Sequence, residues 1–305
     1  MKQSISILFI ICLHTFIWSA NDTVPYIKAK GIKSAILERS YKAYNAYSVT
    51  IDAFDPSTGE EMTVRVHFFE NKKKGNLPLL IIVPPINGVS YREKNVSDHF
   101  IRRGYHTVVI EPVKNVSDNS IPLRDFQKNL LCFVGAIRSA IDVFSEKEQI
   151  DPKNIFIWGA SMGAIHSSIV VSVDMRVNAA ILIVGGASIT DIVTESTQRH
   201  VTRYRNTRML AENISSTEEF RSRLKEHMYC EVPAFATKRN ASDLFFVVAL
   251  KDSSVPTKYQ VKLANAFPGT PTIREYNSPH AKTLLRAHAS PLEQYSNFIN
   301  SKLKH

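Results

Sequence analysis

The chain has 305 residues, 44% of them hydrophobic and 22% charged. That balance excludes a largely disordered or low-complexity chain and leaves room for one large domain or two small ones. The formal net charge of +10 would permit an anionic partner such as nucleic acid or a membrane surface, but the charges are dispersed and neither is expected.

The first twenty residues, MKQSISILFIICLHTFIWSA, place one Lys before an apolar run, Ile5–Trp18, and end in Ser19-Ala20. This is the layout of a secretory signal peptide, cleaved near Ala20; an uncleaved anchor is the alternative. The run is short for a membrane span, Cys12 lacks the small residue before it that a lipoprotein signal needs, and no later segment could cross a bilayer. The expectation is a secreted or periplasmic protein, residues 21–305, without stable membrane insertion. Two cysteines then remain, Cys132 and Cys230. They either bridge or, as the apolar helical setting of Cys132 equally allows, stay as buried thiols. Five Asn-X-Ser/Thr sequons, at Asn21, Asn95, Asn115, Asn213 and Asn240, bear on function only in a eukaryotic secretory pathway.

Ile27–Tyr44 reads as helical or irregular. YSVTIDAF and MTVRVHFFE alternate with period two around DPSTGE, which predicts a hairpin. The densest basic run, NKKKG at Asn71–Gly75, follows as a solvated hairpin tip would. Continuous apolar runs come next: LPLLIIVPP, HTVVIEP, NIFIWGA, AAILIVGG and DLFFVVAL, with a shorter TIREYN near the end. Such runs predict strands covered on both faces. Helical stretches alternate with them at Val89–Arg103, Leu123–Glu146, Met162–Val173, Lys258–Phe267 and Leu292–Leu303. Leu130, Phe133, Val134, Ile137, Ile141 and Phe144 form a helical stripe in the second. Strands alternating with helices imply parallel βαβ units, hence one open α/β sheet opening with an antiparallel hairpin. Residues 189–242 are too long for a simple crossover and read as an inserted, Arg-rich helical cap.

IFIWGASMGAIHSS, Ile155–Ser168, carries Ser161 between a buried strand and a helix, flanked by Gly159 and Gly163. A sharp strand–turn–helix passage exposes the hydroxyl at a helix N-terminus and needs glycines where a Cβ would clash. The Met162 amide is placed to donate to a developing oxyanion. A serine nucleophile needs a base, and the base an orienting carboxylate. Open α/β sheets gather such groups at the carboxyl ends of strands. Asp252 follows the strand of DLFFVVALKDSSVP, and His280 follows that of TIREYNSPHAKT. Each has a plainer reading: Asp252 as a turn cap, His280 as a surface loop histidine, one of ten histidines in the chain. His166 lies one helical turn past Ser161 and points elsewhere, and His227 and His288 lie in polar helical segments. A second oxyanion donor is expected from the loop after the third strand, VPPINGVS. Proline has no N–H, so Pro84 and Pro85 are excluded and Ile86 or Asn87 remains. In the insertion, Glu195, Arg199, Arg203 and Arg205 are candidates to meet an anionic substrate group, with a solvated helix face as the plainer alternative.

Through GASMG at 159–163, KDSSVP at 251–256 and SPHAKT at 278–283, the chain from about Tyr47 to Leu303 resembles the α/β-hydrolase superfamily. It is most similar to the dienelactone-hydrolase and acyl-peptidase-like esterase branch, where SVDMRVNAAILIVGGA matches the segment after the serine turn. The order Ser161, Asp252, His280 agrees. The resemblance implies an eight-stranded, mostly parallel sheet and Ser-His-Asp chemistry on a small ester or acyl substrate, without metal or organic cofactor. The oxyanion loop departs from esterases that carry His-Gly-Gly there, having Pro-Pro-Ile-Asn-Gly instead. A peptidase or amidase with the same triad, and a non-catalytic binding protein on the same scaffold, are the alternatives.

Overall fold

The structure is a computed structural model and describes residues 24–113 and 118–304. The expected leader, Cys12 and the sequons at Asn21 and Asn115 lie outside the described residues. Among the described residues nine strands form one sheet: β1 (Gly31–Ser40), β2 (Tyr44–Phe54), β3 (Glu61–Asn71), β4 (Leu77–Val83), β5 (His106–Ile110), β6 (Ile150–Ala160), β7 (Val177–Ile183), β8 (Leu244–Ala249) and β9 (Thr272–Tyr276). Nine α-helices among the described residues accompany them: α1 (Tyr91–Ile101), α2 (Phe126–Ser145), α3 (Met162–Val173), α4 (Ile189–Glu195), α5 (Arg199–Ala211), α6 (Thr217–Glu226), α7 (Thr257–Ala266), α8 (His280–Ala287) and α9 (Leu292–Asn300). The sheet order is β1-β2-β3-β5-β4-β6-β7-β8-β9. Pairing is antiparallel from β1 through β3 to β5 and parallel from there on.

The sheet has one strand more than the eight expected. The extra strand is β1, in the stretch that reads as helical or irregular. Register shifts at Ile32/Ser34 and Leu37/Arg39 break its period of two, and most of its residues are exposed at the sheet edge. Both features erase the alternation by which a strand is recognised. The loop after LPLLIIV is consequently the one after the fourth strand. The NKKKG run is a second difference. Lys72–Gly75 are exposed, but they connect β3 to β4, which are separated in the sheet by β5, so the run is not a hairpin tip.

The continuous apolar strands are buried on both faces because helices cover both. Leu79, Ile81, Val83, Ile155, Ile157, Ala180 and Leu182 point to one face, packed against α2, α3 and α7. Leu80, Ile82, Phe156, Trp158, Ala179 and Ile181 point to the other, packed against α1, α8 and α9. Helices α4 to α6 form the insertion between β7 and β8. They bury Ile192, Val193, Tyr204, Phe220 and Leu224 on the first face, where the Tyr204 ring meets that of Phe126 at the start of α2. No described helix is long and apolar enough to cross a membrane. Cys132 and Cys230 are buried thiols, not joined to each other; Cys132 Sγ lies 3.6 Å from Met62 Sδ, and burial pushes the Cys230 thiol up to about 12.

Candidate active site

At the end of β6 the chain turns through Ser161 with φ 54 and ψ −119, a conformation that L-residues rarely adopt. Such strain persists only where the surroundings fix it. Here the Ser161 amide donates to Ile183 O of β7 at 2.8 Å, and α3 begins at the next residue. The flanking glycines are required by close approach. A Cβ on Gly163 would lie 2.3 Å from Val83 O and 2.4 Å from Pro84 O, and one on Gly159 would lie 2.7 Å from Gly163 O. The first turn of α3 thus sits directly against the backbone leaving β4.

An imidazole reaches the Ser161 hydroxyl from α8. His280 Nε2 lies 2.9 Å from Ser161 Oγ, and His280 Nδ1 lies 2.6 Å from Asp252 Oδ2. A carboxylate only accepts, so Nδ1 carries the hydrogen and Nε2 is left to accept from the serine hydroxyl. The Asp252 side chain is fully buried and that of His280 is 13% exposed. Three distant residues therefore converge in one hydrogen-bonded row. His280 opens α8 rather than sitting in a loop. Asp252 also caps its own turn, accepting from the amides of Ser254 (2.8 Å) and Val255 (2.9 Å) through Oδ1. The two readings of Asp252 are compatible because each uses a different oxygen.

Residues that sequence reasoning passed over hold these three. Gln260 on α7 is 1% exposed. Its Nε2 donates to Asp252 Oδ2 (2.8 Å) and Val255 O (2.7 Å), while its Oε1 accepts from Ala249 N (3.0 Å). A lone glutamine on the buried stripe formed by Tyr259, Leu263 and Ala264 was the available signal. Ser278 and Thr283 pair their hydroxyls at 2.8 Å beneath the Pro279-His280 turn, with both residues buried.

The remaining predicted residues divide. Pro85 O accepts from Gly88 N at 2.9 Å, so Ile86 and Asn87 are the central residues of a turn beside the Ser161 elbow. Ile86 is half-buried against the same apolar cluster as Met162, and Asn87 is exposed. Among the described residues, none of the three amides is paired with an acceptor. Glu195 accepts from Tyr259 Oη (2.8 Å), Arg221 (3.1 Å) and Lys258 (2.6 Å), which locks it into a bridge between the insertion and α7. Arg205 caps the end of α4, donating to Val193 O (3.0 Å) and Thr194 O (2.7 Å). Arg199 and Arg203 are exposed on α5, and among the described residues no hydrogen bond or ion pair joins any of these four to Ser161, Asp252 or His280. His166 is wholly buried with its ring edge-on to Phe133 at 4.7 Å, and burial lowers it to about 3. No three His, Cys, Asp or Glu side chains among the described residues are grouped to hold a metal.

Residues 137–272 match the model of the prolyl oligopeptidase family; the matched stretch contains Ser161 and Asp252 and ends before His280. No curated protein matches the chain by sequence. Solved structures match its fold. An acetyl xylan esterase from Paenibacillus sp. R4 is similar with a TM-score of 0.69 at 14% identity, covering 89% of this chain and 88% of its own. Acetyl xylan esterase 1 from Thermoanaerobacterium sp. JW/SL YS485 gives 0.63 at 14% identity, over 88% and 89%. A cold-adapted esterase from an Arctic intertidal metagenomic library gives 0.60 at 14% identity, over 89% and 100%. The chain has the α/β-hydrolase fold, in agreement with the resemblance drawn from its motifs.

Proposed function

We propose that the protein is a serine hydrolase that cleaves carboxylic esters through an acyl-enzyme. The observation that carries this reading is the row Ser161 Oγ, His280 Nε2 and Nδ1, Asp252 Oδ2, with spacings of 2.9 and 2.6 Å. Ser161 attacks the acyl carbon while His280 takes its proton, and the same proton then goes to the departing alcohol. Asp252 holds the tautomer and stabilises the imidazolium. The Met162 amide, together with that of Ile86 or Asn87, receives the oxyanion; the burial of Ile86 against the elbow's own cluster favours Ile86. Water then attacks the acyl-enzyme with His280 as base. The insertion at 189–242 forms the cap over this site, and the leader directs the protein to secretion or the periplasm. The esterase names among the structural neighbours make short acyl groups the first substrates to test.

A fluorophosphonate probe tests the reading. Labelling of Ser161 in the folded protein, abolished in Ser161→Ala and accompanied by hydrolysis of p-nitrophenyl acetate, is expected; folded protein that takes no label on Ser161 sinks it. The family match over residues 137–272 keeps a second reading open, peptidase or amidase chemistry with the same triad. A panel setting acetyl esters against peptide amides separates the two.

A further inference from the structure

Beneath the site, on the face covered by α1, α8 and α9, lies a buried histidine–carboxyl pair that the chemistry above does not use. His288, at the C-terminal end of α8, places Nε2 3.2 Å from Glu93 Oε1 and Nδ1 2.6 Å from Leu284 O. The His288 and Glu93 side chains are 3% and 1% exposed. Both ring nitrogens face acceptors. The other Glu93 oxygen, Oε2, accepts from Ser90 N and Ser90 Oγ, each at 2.7 Å, closing a capping box at the start of α1. The His288 ring also stands edge-on to Trp158 with centroids 4.7 Å apart. Although burial pushes the Glu93 carboxyl up, the hydrogen bonds from His288 and Ser90 outweigh it and hold it below the usual range.

The positions of these residues in the chain give the pair its meaning. Ser90 follows the turn that offers the Ile86 and Asn87 amides. Trp158 stands three residues before Ser161. His288 caps the C-terminus of the eight-residue helix that His280 begins, roughly 12 Å long at 1.5 Å per residue. One carboxylate therefore grips the oxyanion loop through one oxygen and the base-bearing helix through the other. Stability alone gives no reason for this choice, since apolar residues of similar volume commonly replace a buried ion pair without loss. A 1 Å misplacement of a reacting group, by contrast, costs on the order of 100-fold in rate.

Resting on the serine-hydrolase reading, we infer that Glu93 and His288 are positioning residues that fix His280 relative to the oxyanion loop. The test uses the full chain and three variants. His288→Phe keeps the ring against Trp158 and removes both hydrogen bonds. Glu93→Gln/His288→Phe does the same without stranding a buried charge, and so serves if the single variant fails to fold. Glu93→Gln alone can still span the gap, donating to His288 and accepting from Ser90. The expected result is a fall in kcat of about 10- to 100-fold for the two Phe variants, with KM within about twofold and fluorophosphonate labelling slowed in parallel. Glu93→Gln keeps kcat within about threefold. Folded Glu93→Gln/His288→Phe with wild-type kcat and labelling rate overturns the inference, whatever happens to its melting temperature. So does a loss in Glu93→Gln equal to that of the double variant. Wild-type protein that takes no label overturns the hydrolase reading itself.

Discussion

Gly163→Ala isolates the contact on which the elbow depends. The new Cβ would sit 2.3 Å from Val83 O, against 3.4 Å for an ordinary contact, so one backbone must retreat by about 1.1 Å (3.4 − 2.3). Neither atom that it meets is a flexible side chain: Val83 O and Pro84 O both belong to the main chain leaving β4. The retreat therefore separates the Met162 amide from the Ile86–Asn87 turn, the two sides of the proposed oxyanion hole. A displacement near 1 Å is worth on the order of 100-fold in rate, or about 2.7 kcal/mol of transition-state stabilisation. Backbone preference pulls the other way. Gly163 lies within α3 at an ordinary φ, and Ala in a helix interior is favoured over Gly by up to about 1 kcal/mol. Without the steric contact the variant would gain stability and keep its rate. The measurements are kcat/KM on p-nitrophenyl acetate, the fluorophosphonate labelling rate and the melting temperature. A variant within threefold of wild type that melts at the same temperature or higher refutes the steric account.

Three further outcomes follow from the same geometry. Ser161→Gly and Ser161→Ala should both be inactive, but the glycine variant should be more stable by about 1 kcal/mol, the difference between roughly 2 kcal/mol of relieved strain at φ 54 and roughly 1 kcal/mol of lost chain entropy; equal midpoints in urea would contradict this. Gln260→Leu should lower kcat/KM about 10-fold and cost about 1–3 kcal/mol of stability, because it withdraws a donor from Asp252 and strands the buried Ala249 amide; a rate and a urea midpoint both unchanged would dismiss the role. His166 is held neutral in the folded protein down to about 3, whereas the unfolded chain takes up the proton near 6.5. Below 6.5 the unfolded state binds more protons, so stability present at neutral pH is lost as pH falls, by about 2 kcal/mol between pH 6.5 and 5; urea melts of His166→Leu should lack that part of the wild-type acid slope.

The features of this fold that can be read from the chain are local ones. Ser161, Asp252 and His280 come one, three and four residues after the ends of β6, β8 and β9, and in an open parallel sheet all such positions lie along one edge. The α3 helix, Met162–Val173, keeps its expected bounds because the Ser161 elbow fixes its start and no proline breaks it. β1 is hidden because two register shifts and an exposed edge leave no alternation to detect. α8 is hidden because Ser278-Pro279 announces a turn and only eight residues follow in the helix. The Glu93–His288 pair spans 195 residues of sequence, and no local pattern announces it. The Arg-rich stripe of the insertion fails differently. Arg205 has the composition of an anion site, yet its guanidinium serves the carbonyls at the end of α4, a demand set by tertiary packing.

The way each group is held separates the chemistry from whatever selects the substrate. Ser161 is fixed by a main-chain bond to β7 and by glycine contacts with the backbone leaving β4. Asp252 is fixed by its own turn and by Gln260, and His280 by Asp252, with Ser278 and Thr283 paired beneath its turn. These supports lie in the sheet and in the helices packed on it. The insertion meets the acid loop through Ser196 Oγ, which donates to Ser254 O at 2.6 Å, and through Thr197 N, which donates to Ser253 O at 2.9 Å. Both contacts end on carbonyls of the turn that Asp252 caps, and neither touches its carboxylate. Residues 189–242 thus bond to the turn around Asp252 and to α7 but not to the carboxylate itself, and the bonds that fix the row stay with the scaffold. Changes at exposed positions of α5, such as Arg199 and Arg203, should leave the geometry of the row as it is.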